Sequence, residues 1–270
     1  MAEVSKTLVE MVDERPNIDN SEAFAQLWDI YSAARQQFDQ RFKVSMDPCC
    51  ADLVPEYEGL PGIGARGMLS VWSGPEIDWF VHSWIGNPKY SFTNMHFTAW
   101  LGPHVKVPHL AIALGTVPDI FFYIDFMARA DTTIDLEHLD RYYGAETNDE
   151  YFAFRRNPNM VQFVSPSNYV RRVISESAIC ITCQHTPENM QAIRDMVFKR
   201  LNRWMKWIDE APPVPQNERA ALAERDFNLR KNSAERDPAN VIGDRLFGVE
   251  KKERLVRTLW GGDRVSQRPM

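Results

Sequence analysis

Three histidines fall in strand-like stretches of this chain: His82 within residues 77–85, His96 within 90–101 and His109 within 107–114. Imidazole is the side chain best suited to moving protons near neutral pH, and two of them can divide the acid and base roles. Strand side chains alternate between faces, so Asp78, Phe80, His82 and Trp84 share one face, as do Asn94, His96, Thr98 and Trp100, and likewise His109, Ala111 and Ala113. If the strand register aligns these faces, the three histidines meet on one patch of sheet. A three-histidine zinc site is also conceivable, but no metal is expected here, and each histidine taken alone is more often an ordinary core or surface residue. Asp125 lies between Ile124 and Phe126. Burial there would raise its pKa and make it an acid, unless Arg129 or Arg172 pairs with it.

Other residues would bind rather than react. Asn168, Tyr169, Arg171 and Arg172 follow Pro166 and offer donors to an anionic or phenolic substrate, or simply face solvent. Trp84 and Trp100, with Trp72 and Trp79, could wall a pocket for a flat molecule beside Asp78, although helix-to-sheet packing is the commoner use of such rings. Two motifs mislead. Cys180 and Cys183 are three apart in an apolar strand-like run, so they point to opposite faces and are poorly placed to share an ion. Gly62-x-Gly64-x-x-Gly67 has the dinucleotide-binding spacing, but a Pro/Gly-rich loop precedes it and a strand follows, the wrong context for a phosphate-binding helix.

The elements that must position these residues are readable from periodicity. Residues 1–20 read as a loose polar arm, and 21–270 as a single domain. Asn20-Ser21 would cap a helix whose apolar residues Phe24, Leu27, Tyr31, Ala34 and Phe38 recur at three and four. Residues 47–64 hold too many Pro and Gly for regular structure. Five strands follow at 68–72, 77–85, 90–101, 107–114 and 120–127, joined by short turns and hence an antiparallel meander. A short helix at 135–143, further strand character at 173–184, a long helix from Pro187, and helices at 217–233 and 250–260 complete the pattern. This order predicts an α+β fold, an α/β/α sandwich with a central antiparallel sheet covered by helices on both faces.

Composition narrows the partners. The 31 basic and 37 acidic residues give a net charge of −6, which attracts neither nucleic acid nor anionic lipid. No signal-like start and no apolar stretch near 20 residues is present, so the sequence predicts a cytoplasmic protein without a membrane partner.

Residues 77–85 (Ile-Asp-Trp-Phe-Val-His-Ser-Trp-Ile) resemble a strand of the red chlorophyll catabolite reductases that begins Ile-Asp and ends Ser-Trp-Ile. Residues 163–171 resemble that family's Tyr-Val-Ser-Pro-Ser stretch, and Arg225-Asp226, Arg230-Lys231, Ser233 and Leu246-Phe247-Gly248 resemble its C-terminal helices. The blocks keep their order from about residue 67 to 261. The resemblance implies kinship with ferredoxin-dependent bilin reductases, a homodimer, and a flat conjugated substrate held between sheet and C-terminal helices. It also implies no bound flavin or metal, with single electrons from reduced ferredoxin and protons from carboxyl groups. Asp237 matches the family's aspartate near the chain end. The family glutamate falls at Ala113, and His82 stands where the plant proteins carry glycine.

Three readings follow. The first is a ferredoxin-dependent reductase using Asp237 and a histidine as proton donors, with Lys199, Arg203 and Lys206 on one helix face as a docking patch for an acidic ferredoxin or as a solvated surface. The second is a cofactor-independent lyase or isomerase on a phenolic, lignin-type aromatic, with His82, His96 or His109 as acid and base. The third is a non-enzymatic binder of flat hydrophobic ligands.

Overall fold

A computed structural model describes residues 3–269. The meander is built as β4 (Arg66–Ser73), β5 (Ile77–Gly86), β6 (Thr93–Leu101), β7 (His109–Thr116) and β8 (Ile120–Met127), each antiparallel to the next. β10 (Ile179–Cys183) pairs antiparallel with β8, and β9 (Met160–Phe163) with β10. Short pieces finish the two ends: β1 (Glu3–Val4) runs parallel to β9, while β2 (Ser45–Met46) and β3 (Tyr57–Glu58) pair with β4.

Helices cover both faces. On one side α2 (Ser21–Arg41) and α6 (Pro187–Glu210) pack on the sheet, with α3 (Leu136–Tyr143) and α4 (Ala145–Arg156) beside them. α2 buries Leu27, Ile30, Tyr31, Ala34 and Phe38, each large apolar member contributing about 1.5–3 kcal/mol. Asn20 occupies its N-cap position but gives its amide to the carbonyls of Pro118 and Ser91 instead of capping the helix. In α6, Thr186 caps Asn189 N–H, Pro187 opens the first turn, and Ile193, Val197, Leu201, Trp204 and Ile208 form the buried stripe. On the opposite side lie α5 (Asn168–Val173), α7 (Gln216–Glu235), α8 (Asn240–Phe247) and α9 (Val249–Trp260). Gly261, at φ 79°, closes α9 in a left-handed turn, and a Cβ there would meet the Trp79 ring at 3.3 Å.

Several expectations are corrected. The Pro/Gly-rich loop contains a 3-10 helix, Pro48–Leu53, capped by Asp47, as well as β3. Residues 173–184 form a strand only over Ile179–Cys183, because α5 occupies the segment up to Val173. Within the stretch read as a loose arm, residues 1 and 2 lie outside the described residues. Beyond them β1 joins the sheet and α1 (Leu8–Asp13) carries a capping box between Thr7 and Glu10. Gly67 of the glycine motif lies within β4, so a strand and not a helix follows it, as the sequence context implied.

Candidate active site

Antiparallel register decides which side chains meet. Ser83 pairs with His96 and His96 with Ala113, whereas His82 pairs with Phe97. Directly opposed residues share a face. His82 therefore points into the α2 layer, where its ring stacks on Tyr31 at 4.4 Å and Nε2 has no partner among the described residues. Burial, with Arg35 nearby, lowers its pKa to about 3. Trp84 follows the same parity and packs on Phe24 and Trp28. Asp78 breaks the parity, because the register shifts between Ile77 and Trp79. It turns instead toward the C-terminal layer, bonded to Arg230 and Arg264.

The other sheet face carries a cavity of about 340 Å³. Its floor is the row predicted to share a face, Asn94, His96, Thr98 and Trp100, with Ala111 and Ala113 alongside. α7, α8 and α9 supply the roof, including Asp237 at the α7–α8 junction, and α5 brings Tyr169 to the side. Of the catalytic and binding candidates read from the sequence, the cavity gathers His96, Trp100, Asp237 and Tyr169. Asn168 and Arg172 are exposed on α5 outside it.

His96 on the floor and Asp237 on the roof both line this space with shifted pKa values, as do Tyr57, Tyr123, Cys180 and Arg230. Asn94 Nδ2 donates to His96 Nε2 at 2.9 Å, which leaves the ring proton on Nδ1. Burial lowers the imidazole pKa to about 4. Burial raises the Asp237 carboxyl above its ordinary value, against the pull of Ala239 N–H at 2.8 Å. A carboxyl that holds its proton longer is a better acid at neutral pH.

His109 shares the face of His96 but sits four residues along the sheet, roughly 13 Å away by strand rise. Its Nδ1 accepts from Leu101 N–H at 3.0 Å, so the proton lies on Nε2, 3.3 Å from Asp226 Oδ1. Burial outweighs that carboxylate and lowers its pKa to about 4. The ring supports Trp100 at 4.7 Å. Asp226 in turn binds Arg129, and although burial opposes ionisation, His109 and Arg129 hold its carboxyl low. Asp125 is fully buried. It accepts from Ser175 N–H and Oγ–H and from the Tyr123 hydroxyl at 3.1 Å, not from Arg129 or Arg172. Burial raises its pKa, and Tyr123 alone of this group reaches the cavity wall.

The three histidines thus cannot share a metal ion. Cys180 lines the cavity while Cys183 joins the opposite core, as alternation predicts. Lys199 and Arg203 are engaged by Glu146 and Glu150 of α4, and Lys206 lies 3.8 Å from Glu210. Sequence reasoning missed Ser83, Tyr123, Arg230 and Lys252 on the cavity wall. For Ser83, alternation groups it with Val81 and Ile85 but does not say that this set faces the cavity; the family resemblance marks Arg230 without giving it a site role.

Residues 28–260 match the family model described as red chlorophyll catabolite reductase (RCC reductase). The chain is 25% identical over 242 residues to "Red chlorophyll catabolite reductase, chloroplastic" of Arabidopsis thaliana, covering 82% of this chain and 75% of that protein. Its fold is similar to that of tomato phytochromobilin synthase in complex with biliverdin, with a TM-score of 0.69 at 13% identity over 88% of this chain and 84% of that one. No helix among the described residues is long and apolar enough to cross a membrane. The chain belongs to the red chlorophyll catabolite reductase family.

Proposed function

We propose that this chain reduces a flat, conjugated, open-chain tetrapyrrole held in the cavity between the sheet and α7–α9. The observation that carries this reading is the placement of Asp237 on the roof and His96 on the floor of one apolar cavity, its volume within the range of small-molecule sites. Electrons arrive singly from reduced ferredoxin, and the protein supplies position and protons without a bound flavin or metal. Each two-electron reduction consumes two electrons and two protons. Asp237 gives the first proton. His96, neutral near pH 7, hydrogen-bonds the substrate through Nδ1–H; as negative charge develops beside it the ring takes up a proton from solvent and hands one on as the second. Ala113, at the position of the family glutamate, lies directly across from His96, so the donor role moves one strand over in this chain.

The test is anaerobic turnover of biliverdin-type tetrapyrroles with a reduced-ferredoxin system, followed by absorbance. Bleaching or a spectral shift that requires the electron donor supports the reading. Turnover of a phenolic dimer in plain buffer, with no donor-dependent tetrapyrrole reaction, would replace it with acid–base lyase chemistry resting on His96. Light scattering tests the homodimer that accompanies this reading.

A further inference from the structure

Arg230 is 2% exposed, lines the cavity near Trp100, and spends only two of its three nitrogens within the protein. Nε donates to Trp260 O at 3.0 Å and Nη1 to Asp78 Oδ2 at 2.9 Å. Nη2 is buried and has no acceptor among the described residues. A buried guanidinium donor left without a partner is costly, and one in a cavity wall can be satisfied by an acceptor bound in that cavity.

The charge around it is also incomplete. Asp78 is the carboxylate that Arg230 contacts, and it is shared with Arg264, whose Nη1 binds the other oxygen. Both guanidinium side chains are nearly buried, at 2% and 6% exposed, and both lie over Trp79. Arg268 adds a third positive charge to the surroundings of Arg230. Asp47, beside the same C-terminal segment, is taken up by the amides of Val265, Ser266 and Cys49. Two guanidiniums thus share one carboxylate at the Trp100 end of the cavity, leaving a surplus positive charge in a poorly solvated place.

We propose that Arg230 Nη2 receives a carboxylate of the substrate there, fixing the orientation of a flat molecule along the row from Trp100 to Asn94. A neutral carbonyl would satisfy the hydrogen bond but not the charge. The inference rests on the cavity being the substrate site, and the carboxylate could belong to a tetrapyrrole side chain or to an aromatic acid.

The experiment compares acids with their esters. Binding of biliverdin and biliverdin dimethyl ester, and of ferulate and methyl ferulate, is titrated against the wild-type protein, Arg230→Gln and Arg230→Lys, with melting curves confirming the fold. Wild type is expected to prefer the acid of whichever pair binds by about tenfold or more, the range of one charge-assisted hydrogen bond. Arg230→Gln should abolish the preference, weakening binding of the acid by about tenfold or more relative to the ester. Arg230→Lys, which keeps Asp78 paired, should retain part of it. Equal affinity of acid and ester in wild type, no binding of any of the four, or a preference untouched in both variants would overturn the proposal. Acid-selective binding of ferulate alone, lost in Arg230→Gln, would keep the carboxylate subsite and sink the tetrapyrrole reading.

Discussion

At the scale of the residue, Asp237 and His82 are opposites. Asp237→Asn is expected to lower ferredoxin-driven turnover by about 100-fold or more with ligand binding retained, measured as kcat against Kd. Because burial raises its pKa, wild-type turnover should fall as pH rises through that value, and the asparagine variant should lose this limb. Stability runs in the same direction: a raised carboxyl pKa contributes stability present below the ordinary carboxylate value and lost as pH rises through the folded-state value. Asp237→Asn should therefore melt no lower than wild type at neutral pH. His82→Phe should keep full turnover and an equal or higher melting temperature, since it retains the stacking on Tyr31 and removes an unpartnered Nε2. A collapse of activity in that variant would return His82 to the chemistry. The histidine types were legible in the sequence, but their faces were not: β5 is apolar on both sides, so its alternation alone could not say which set faces the cavity.

At the scale of the element, α7 holds the cavity roof to the sheet through charge instead of an apolar stripe. Its buried residues are Asp226 and Arg230. Asp226 ties α7 to Arg129, whose guanidinium also binds the carbonyls of Gly102 and Val105. Asp226→Ala would leave Arg129 buried without its carboxylate, an expected loss of about 3–5 kcal/mol, measured by denaturant unfolding. Similar physics explains what periodicity overlooked. α4 buries Thr147, Glu150 and Phe154, with Glu150 held by Arg200 and Arg203, so its inward face is largely polar and gives little apolar repeat. α2, α6 and the five-strand meander were legible because apolar residues make up most of what they bury. The bulge that turns Asp78 toward Arg230 depends on β6 across from it, a long-range contact that local spacing cannot encode.

At the scale of the whole molecule, His82, His96, His109 and His138 all have pKa values lowered by burial, to about 3, 4, 4 and 4. The unfolded chain takes up protons near the ordinary histidine value while the folded chain resists until pH 3–4. Stability is thus complete above about pH 6.5 and falls as the pH drops through the interval below, by up to about 1.4 kcal/mol per pH unit for each histidine. Melting temperatures from pH 4.5 to 8 should rise to a plateau; a maximum near pH 5 would contradict this origin. The sheet's outermost strands, β1 and β2, are two residues each, while strands of eight to ten residues lie inside. The outer side of β4 is closed by unrelated pieces: β2 at one end, β3 at the other, and between them Cys50 Sγ receiving Val71 N–H, while Val71 O accepts Asp47 N–H. No long ribbon of unpaired backbone is left among the described residues for a neighbouring molecule to extend. Aggregation of the native protein by strand addition is thereby blocked at both margins, and fibril-prone association would first require these short closures to peel away.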